Sequence, residues 1–156
     1  MKMILALFAL LLAIIGGIAF FQSDLKKNIP FLTKTPMATI NNHKFSLLIA
    51  KTPQEKEIGL SEKTSIPQDS GMIFVFDTPD TYPFWMKNMK FPIDIIYINQ
   101  NKIITIFENT KPLASPDETP QILRPDEPAD KVLEINAGLS QKFGIKKGGE
   151  VKLENL

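Results

Sequence analysis

Trp85, Lys87 and Asn88 form the densest polar-aromatic run in the chain. An indole stacks on a ring or sugar face, while an ammonium and an amide supply directional hydrogen bonds. Read as a strand, Trp85-Met86-Lys87-Asn88 puts Trp85 and Lys87 on one face and Met86 and Asn88 on the other. That is the pattern of a recognition surface. The structural alternative makes Trp85 a core residue, Lys87 a solvated strand position and Asn88 the residue that fixes a turn. Asp94 interrupts an apolar run from Pro92 to Ile98. A carboxylate buried there needs a partner, and Lys87 is the candidate; a carboxylate held by the backbone is the alternative. Glu134, inside Val132-Leu133-Glu134-Ile135, poses the same question. Two neighbouring carboxyl groups would make a general acid/base pair, but the sequence does not fix their distance.

Other chemistries find less support. Met72, Met86 and Met89 are thioethers of the kind that suit Cu(I), but no Cys and a single His accompany them, so they read as strand packing. His43 with Ser61 or Ser70 lacks a nucleophile-elbow pattern and reads as a surface turn residue. Gly148-Gly149 lacks the Lys-Ser/Thr pair of a phosphate loop. With no cysteine there is no disulfide, thiol nucleophile, Cys-zinc site or iron–sulfur cluster. A formal net charge of +1 gives no global field for nucleic acid. The sequence therefore predicts no cofactor, no metal and no nucleic-acid partner.

The elements that must carry these residues are short and mostly β-like. Phe45 to Ala50 is an apolar stretch entered from Asn41-Asn42, as from a hairpin. Met72 to Phe76 reads as a buried strand. Ile93 to Ile98 and Ile103 to Phe107 flank a turn at Asn99-Gln100-Asn101-Lys102, and Val132 to Ile135 and Val151 to Leu153 complete the set. Thr52-Pro53-Gln54-Glu55 is a capping box with Pro at the first helical position, predicting a helix to Ile58 that stops at Gly59. A second short helix fits Leu139 to Phe143, ending at Gly144. Residues 109–129, with five prolines, have neither period and read as an ordered lid or a disordered loop.

Met3 to Phe21 is uncharged over 19 residues. As a helix it would span roughly 28 Å, close to the thickness of a bilayer core. It is longer than the apolar region of an ordinary signal peptide, so residues 1–23 are expected to be an anchor, with a cleaved signal as the alternative. Residues 24–36 read as a linker, and 37–156 as one mainly β domain. The expected architecture is a compact antiparallel sheet or small barrel with one or two short helices, preceded by an N-terminal transmembrane helix.

Five runs now read together: Glu57-Ile58-Gly59-Leu60, Gly71 to Phe76, Phe84-Trp85-Met86-Lys87-Asn88, Pro92 to Ile98 and Val132 to Gly138. In this order the chain resembles the bacterial and archaeal family known as domain of unknown function 192, over roughly Phe45 to Leu153. The resemblance implies a compact, mainly β domain, often behind an export signal, and no established activity. Two positions depart from the family pattern. Ser61 stands where the family commonly has Met, and Met89 where it usually has Thr. The expectation is a membrane-tethered extracytoplasmic binding or accessory module of the cell envelope, secreted if the N-terminal segment is cleaved. Its ligand-binding residues would be Trp85, Lys87, Asn88, Asp94 and Glu134, its membrane contact residues 3–21, and its ligand an envelope glycan or small molecule. A carboxylate-based envelope hydrolase and a purely structural domain are the alternatives, so whether the domain is an enzyme stays open.

Overall fold

The computed structural model describes residues 34–115 and 117–156. The apolar run from Met3 to Phe21 and most of the linker lie outside the described residues. Among the described residues no helix is long and apolar enough to cross a membrane.

Among the described residues seven strands and two short helices follow one another. They are β1 (Met37–Ile40), β2 (His43–Ala50), α1 (Pro53–Ile58), β3 (Ser70–Asp80), β4 (Ile93–Asn99), β5 (Lys102–Thr110), β6 (Ala129–Asn136), α2 (Leu139–Lys142) and β7 (Lys152–Glu154). All seven strands join one sheet in the order β5-β4-β6-β3-β2-β1-β7. The β1–β2 hairpin turns on Asn41 and Asn42, both at positive φ (47° and 67°), the conformation whose twist suits a two-residue hairpin. Gln100 at φ 56° turns β4 into β5.

The sheet is mixed, which corrects the expectation of an antiparallel one. β2 and β3 run parallel, Leu48 opposite Met72 and Ala50 opposite Phe74. A parallel pair needs a crossover, and α1 supplies it. The helix starts where its capping box predicts: Glu55 N–H donates to Thr52 Oγ1 (3.2 Å), and Glu55 Oε2 accepts from Thr52 N–H (2.8 Å) and Lys51 N–H (2.9 Å). These backbone bonds hold the Glu55 carboxyl below its ordinary range. Gly59 ends the helix at φ 51°.

The sheet curls into a half-barrel. The turn before β7 is bonded to the start of β5: Ile103 N–H donates to Gly149 O (2.9 Å), Gly148 N–H to Ile103 O (2.8 Å) and Val151 N–H to Asn101 O (2.8 Å). Strand alternation divides the core. One cluster holds Ala38, Ile40, Phe45, Ile73, Ile96, Ile98, Ile103, Leu133 and Ile135, with Leu139 of α2. It takes residues from both ends of the strand order, so it fills the inside of the curl. The other cluster, with Met72, Phe74, Ile93, Ile95, Tyr97 and Val132, is covered by Leu60, Ile66, Met86, Phe91 and Leu123 from connecting segments. The long proline-rich stretch is tied down around its middle, where Phe84 and Leu123 exchange backbone hydrogen bonds of 2.9 and 2.8 Å. Met72, Met86 and Met89 all pack in or against this second cluster, Met72 from β3 as strand packing predicts and Met86 and Met89 from the connection between β3 and β4.

Candidate functional site

Register settles where the two candidate carboxylates go. Asp94 on β4 is opposite Ile135 on β6, and Glu134 is opposite Ile95. The two acids therefore occupy adjacent pair positions of opposite parity and point to opposite faces of the sheet. They cannot act as one acid/base pair.

Asp94 is fully buried and accepts three backbone N–H groups. Oδ1 takes those of Asn109 (2.8 Å) and Gly138 (3.0 Å), and Oδ2 takes that of Ser140 (2.8 Å). It pins the left-handed Gly138 turn (φ 81°) and the first turn of α2 to the sheet. The expected Lys87 partner is absent; the backbone-held alternative is what forms.

Glu134 sits on β6, a central strand, facing the other way. Its residue exposure is 6%, and Oε2 is buried without a hydrogen-bond partner. Burial pushes its carboxyl up to about 8, so the neutral acid prevails at neutral pH. Glu134 lines a cavity of about 340 Å³ shared with Phe74 and Phe76 of β3, Tyr82, Phe84, Trp85, and Lys56 and Glu57 of α1. The aromatic rings support one another: Phe76 stacks on Tyr82 at 3.6 Å, and Phe74 meets Phe84 edge-to-face at 4.9 Å. Tyr97 lies behind this wall, its hydroxyl 3.1 Å from the Tyr82 and Leu123 carbonyl oxygens, which accept from it. Burial raises the Tyr97 hydroxyl well above its ordinary range, and the charge of nearby Glu134 adds to this.

The Phe84–Asn88 run is not a strand. Phe84 makes a single bridge to Leu123, and a turn follows in which Asn88 has φ 60°. The alternation holds for Trp85 and Lys87 and fails for Met86 and Asn88, which part company. Trp85, 45% exposed, and Lys87 both line the cavity, while Met86 is buried in the core. Asn88 fixes the turn and faces a neighbouring cleft lined also by Leu113, Ala114 and Ser115. Of the five expected ligand residues, the structure brings together Trp85, Lys87 and Glu134 and separates Asn88 and Asp94 from them.

The residues missed by the sequence reading are the walls: Lys56, Gly59, Phe74, Phe76, Tyr82 and Phe84. A signal for them existed. Four of the five sequence runs that read together meet at this one cavity, contributing Glu57 to Leu60, Phe74 and Phe76, Phe84 with Trp85 and Lys87, and Glu134. Ser61 and Met89, the two departures from the family pattern, line it as well. A larger cleft of about 710 Å³, lined by Thr110, Lys111, Glu118 and their neighbours, contains no buried unpartnered group. Among the described residues no group of three or more His, Asp or Glu side chains is placed to hold a metal ion.

A curled, mixed sheet whose central strand delivers a neutral carboxyl into an aromatic cavity defines a small pocket-bearing β domain. The chain belongs to the DUF192 family, described as an uncharacterized ACR, whose model matches residues 36–153. Solved structures similar to it include the following two. A protein of unknown function from Novosphingobium aromaticivorans is 36% identical, with 76% of this chain and 83% of that one covered and a TM-score of 0.65. A Sinorhizobium meliloti protein described as a candidate transcription regulator is 29% identical, with 78% and 93% covered and a TM-score of 0.68. No curated protein matches the chain.

Proposed function

We propose that the domain is a binding module that takes a small ring-bearing molecule into the Glu134 cavity. One observation carries this: a buried carboxyl without a partner lies in an aromatic-lined cavity of about 340 Å³, the size range of small-ligand sites. An unpartnered polar atom costs stability, and a ligand that bonds to it recovers that cost on binding. Trp85, half exposed, offers its ring face to the ligand. The hydrolase alternative loses its motivation, because Asp94 lies on the far face and is saturated by backbone donors. The regulator description belongs to the Sinorhizobium protein, and a net charge of +1 offers no general attraction for nucleic acid here. The proposed setting is the cell envelope, outside the cytoplasm and tethered through residues 3–21, supported by the uncharged run from Met3 to Phe21.

Trp85 is the sole tryptophan of the chain, so its fluorescence reports this cavity alone. Titration of the full chain with N-acetylglucosamine, benzyl alcohol and benzyltrimethylammonium should give a saturable change with at least one of them. Phe76→Ala should weaken that response at least tenfold. A flat response to all three overturns the proposal.

A further inference from the structure

We infer that the molecule the Glu134 cavity takes is a ring-bearing organic ammonium, with the Glu134 carboxylate as its counter-charge and Phe76, Tyr82 and Trp85 as its aromatic walls. This rests on the binding reading above and names its ligand class.

Three observations converge. Glu134 Oε2 has no donor within the protein, and an ionised carboxylate accepts hydrogen bonds and charge but donates nothing. The cavity is walled by Phe74, Phe76, Tyr82, Phe84 and Trp85, whose ring faces attract cations. The chain itself already places an ammonium on this wall: Lys56 Nζ lies 4.4 Å from the centroid of the Phe76 ring. Lys56 is half-buried on α1 and is held there by none of the hydrogen bonds or ion pairs that tie down other lysines, so a ligand cation can displace it.

The charges around Glu134 leave it without a counter-ion. Lys56 and Glu57 from α1 and Lys87 from the Phe84–Asn88 segment line the same cavity; Glu57 and Lys87 are exposed and screened by solvent, and half-buried Lys56 is turned onto the Phe76 ring. From β4 the nearby group is the Tyr97 hydroxyl, and Arg124 acts on Tyr97 while donating to Thr81 O at 2.9 Å. None of the ion pairs formed by the described residues includes Glu134.

Entry of the ammonium is coupled to a proton. In the empty cavity the carboxyl is protonated. On binding, its O–H bond breaks, the proton leaves to solvent and the electron pair stays on the carboxylate facing the cation. No covalent bond forms with the ligand. A neutral ligand with an acceptor atom would instead need the O–H as a donor. The two ligand classes thus have opposite pH signs.

Benzyltrimethylammonium keeps its charge at every pH and serves as the probe, with benzyl alcohol as the neutral comparison. Binding to the full chain is read by Trp85 fluorescence and by calorimetry in buffers of differing ionisation enthalpy. With half-ionisation near pH 8, affinity for the cation should rise about tenfold between about pH 7 and 9, and about 0.9 proton should be released per ligand at pH 7. Glu134→Gln should abolish the pH dependence and weaken binding at pH 9 about tenfold or more, and Glu134→Leu should do the same. Lys56→Gln should tighten binding severalfold by freeing the Phe76 face. If benzyl alcohol binds as tightly and weakens as pH rises, the ammonium assignment is wrong while the ring-binding cavity stands. If neither probe moves Trp85 fluorescence while N-acetylglucosamine does, the ammonium assignment alone falls; if none of the three moves it, both fall.

Discussion

Placing a carboxyl among aromatic rings makes its ionisation expensive, and at Glu134 that expense enters the pH dependence of the fold. The ordinary value is 4.5 and the folded value about 8. Between them the native state keeps a proton that the unfolded chain gives up. The stability tied to this proton is full below about pH 4.5 and is lost as pH rises through about 8. Its size is on the order of a few kcal/mol. Glu134→Gln, neutral at every pH, should therefore gain stability relative to the parent as pH rises, and level off above about pH 8. Urea unfolding at about pH 5, 7 and 9 reads this directly; parallel curves for the two proteins would refute it. Asp94, on the opposite face, accepts three backbone N–H groups. Asp94→Asn turns one acceptor into a donor against a backbone N–H, and should cost roughly 2–4 kcal/mol. Lys87→Met should cost less than about 0.5 kcal/mol, and the two changes should add without coupling. Strong coupling in that double-mutant cycle would mean that the two side chains meet after all.

At the scale of elements, what the sequence reveals is what its neighbours decide. The Thr52–Glu55 capping box, the Asn41-Asn42 hairpin and the stops at Gly59 and Gly144 are local devices, and each stands where the residues predict it. The parallel β2–β3 pair is non-local: either edge of β3 accepts a strand equally well by composition. Face assignment fails for the same reason. Asp94 and Glu134 look alike as acids in apolar strands, and only the pairing of Asp94 with Ile135 separates them onto two faces. For Trp85-Met86-Lys87-Asn88 the residues left two readings open, a strand that exposes Trp85 and a turn at Asn88 with Trp85 in the core, and the structure takes a part of each: the turn forms and Trp85 is 45% exposed. Gly71 shows how tightly the pairing is set. A Cβ built there would lie 2.6 Å from Glu134 O and 3.0 Å from Ile135 Cγ2. The backbone of β6 cannot yield without shifting Glu134, so Gly71→Ala should destabilise the domain by roughly 2–4 kcal/mol and weaken ligand binding together. Unfolding and Trp85 titration on the same sample test both; retained stability with retained binding would show that the sheet absorbs the methyl group.

Across the whole molecule, the core of the described residues draws on strands and connecting segments from Ala38 to Val151. The compact unit starts at Thr35, and its first strand is paired on both sides, by β2 and by β7. The hydrogen bonds of residues 148–151 to the start of β5 draw the two ends of the strand order together there. The run from Met3 to Phe21 is uncharged over 19 residues. Its length suits a bilayer, and burying it in lipid removes 19 uncharged, mostly apolar residues from water. The full chain should fractionate with membranes and leave them only with detergent. Deletion of residues 1–23 should leave a soluble domain with an unchanged urea midpoint and an unchanged Trp85 response to benzyltrimethylammonium. A mature N-terminus near Phe20 would show instead that the segment is cleaved and the domain released. A full-length chain that stays in the soluble fraction of a detergent-free lysate would remove the tether from the proposal, while the cavity and its test would be untouched.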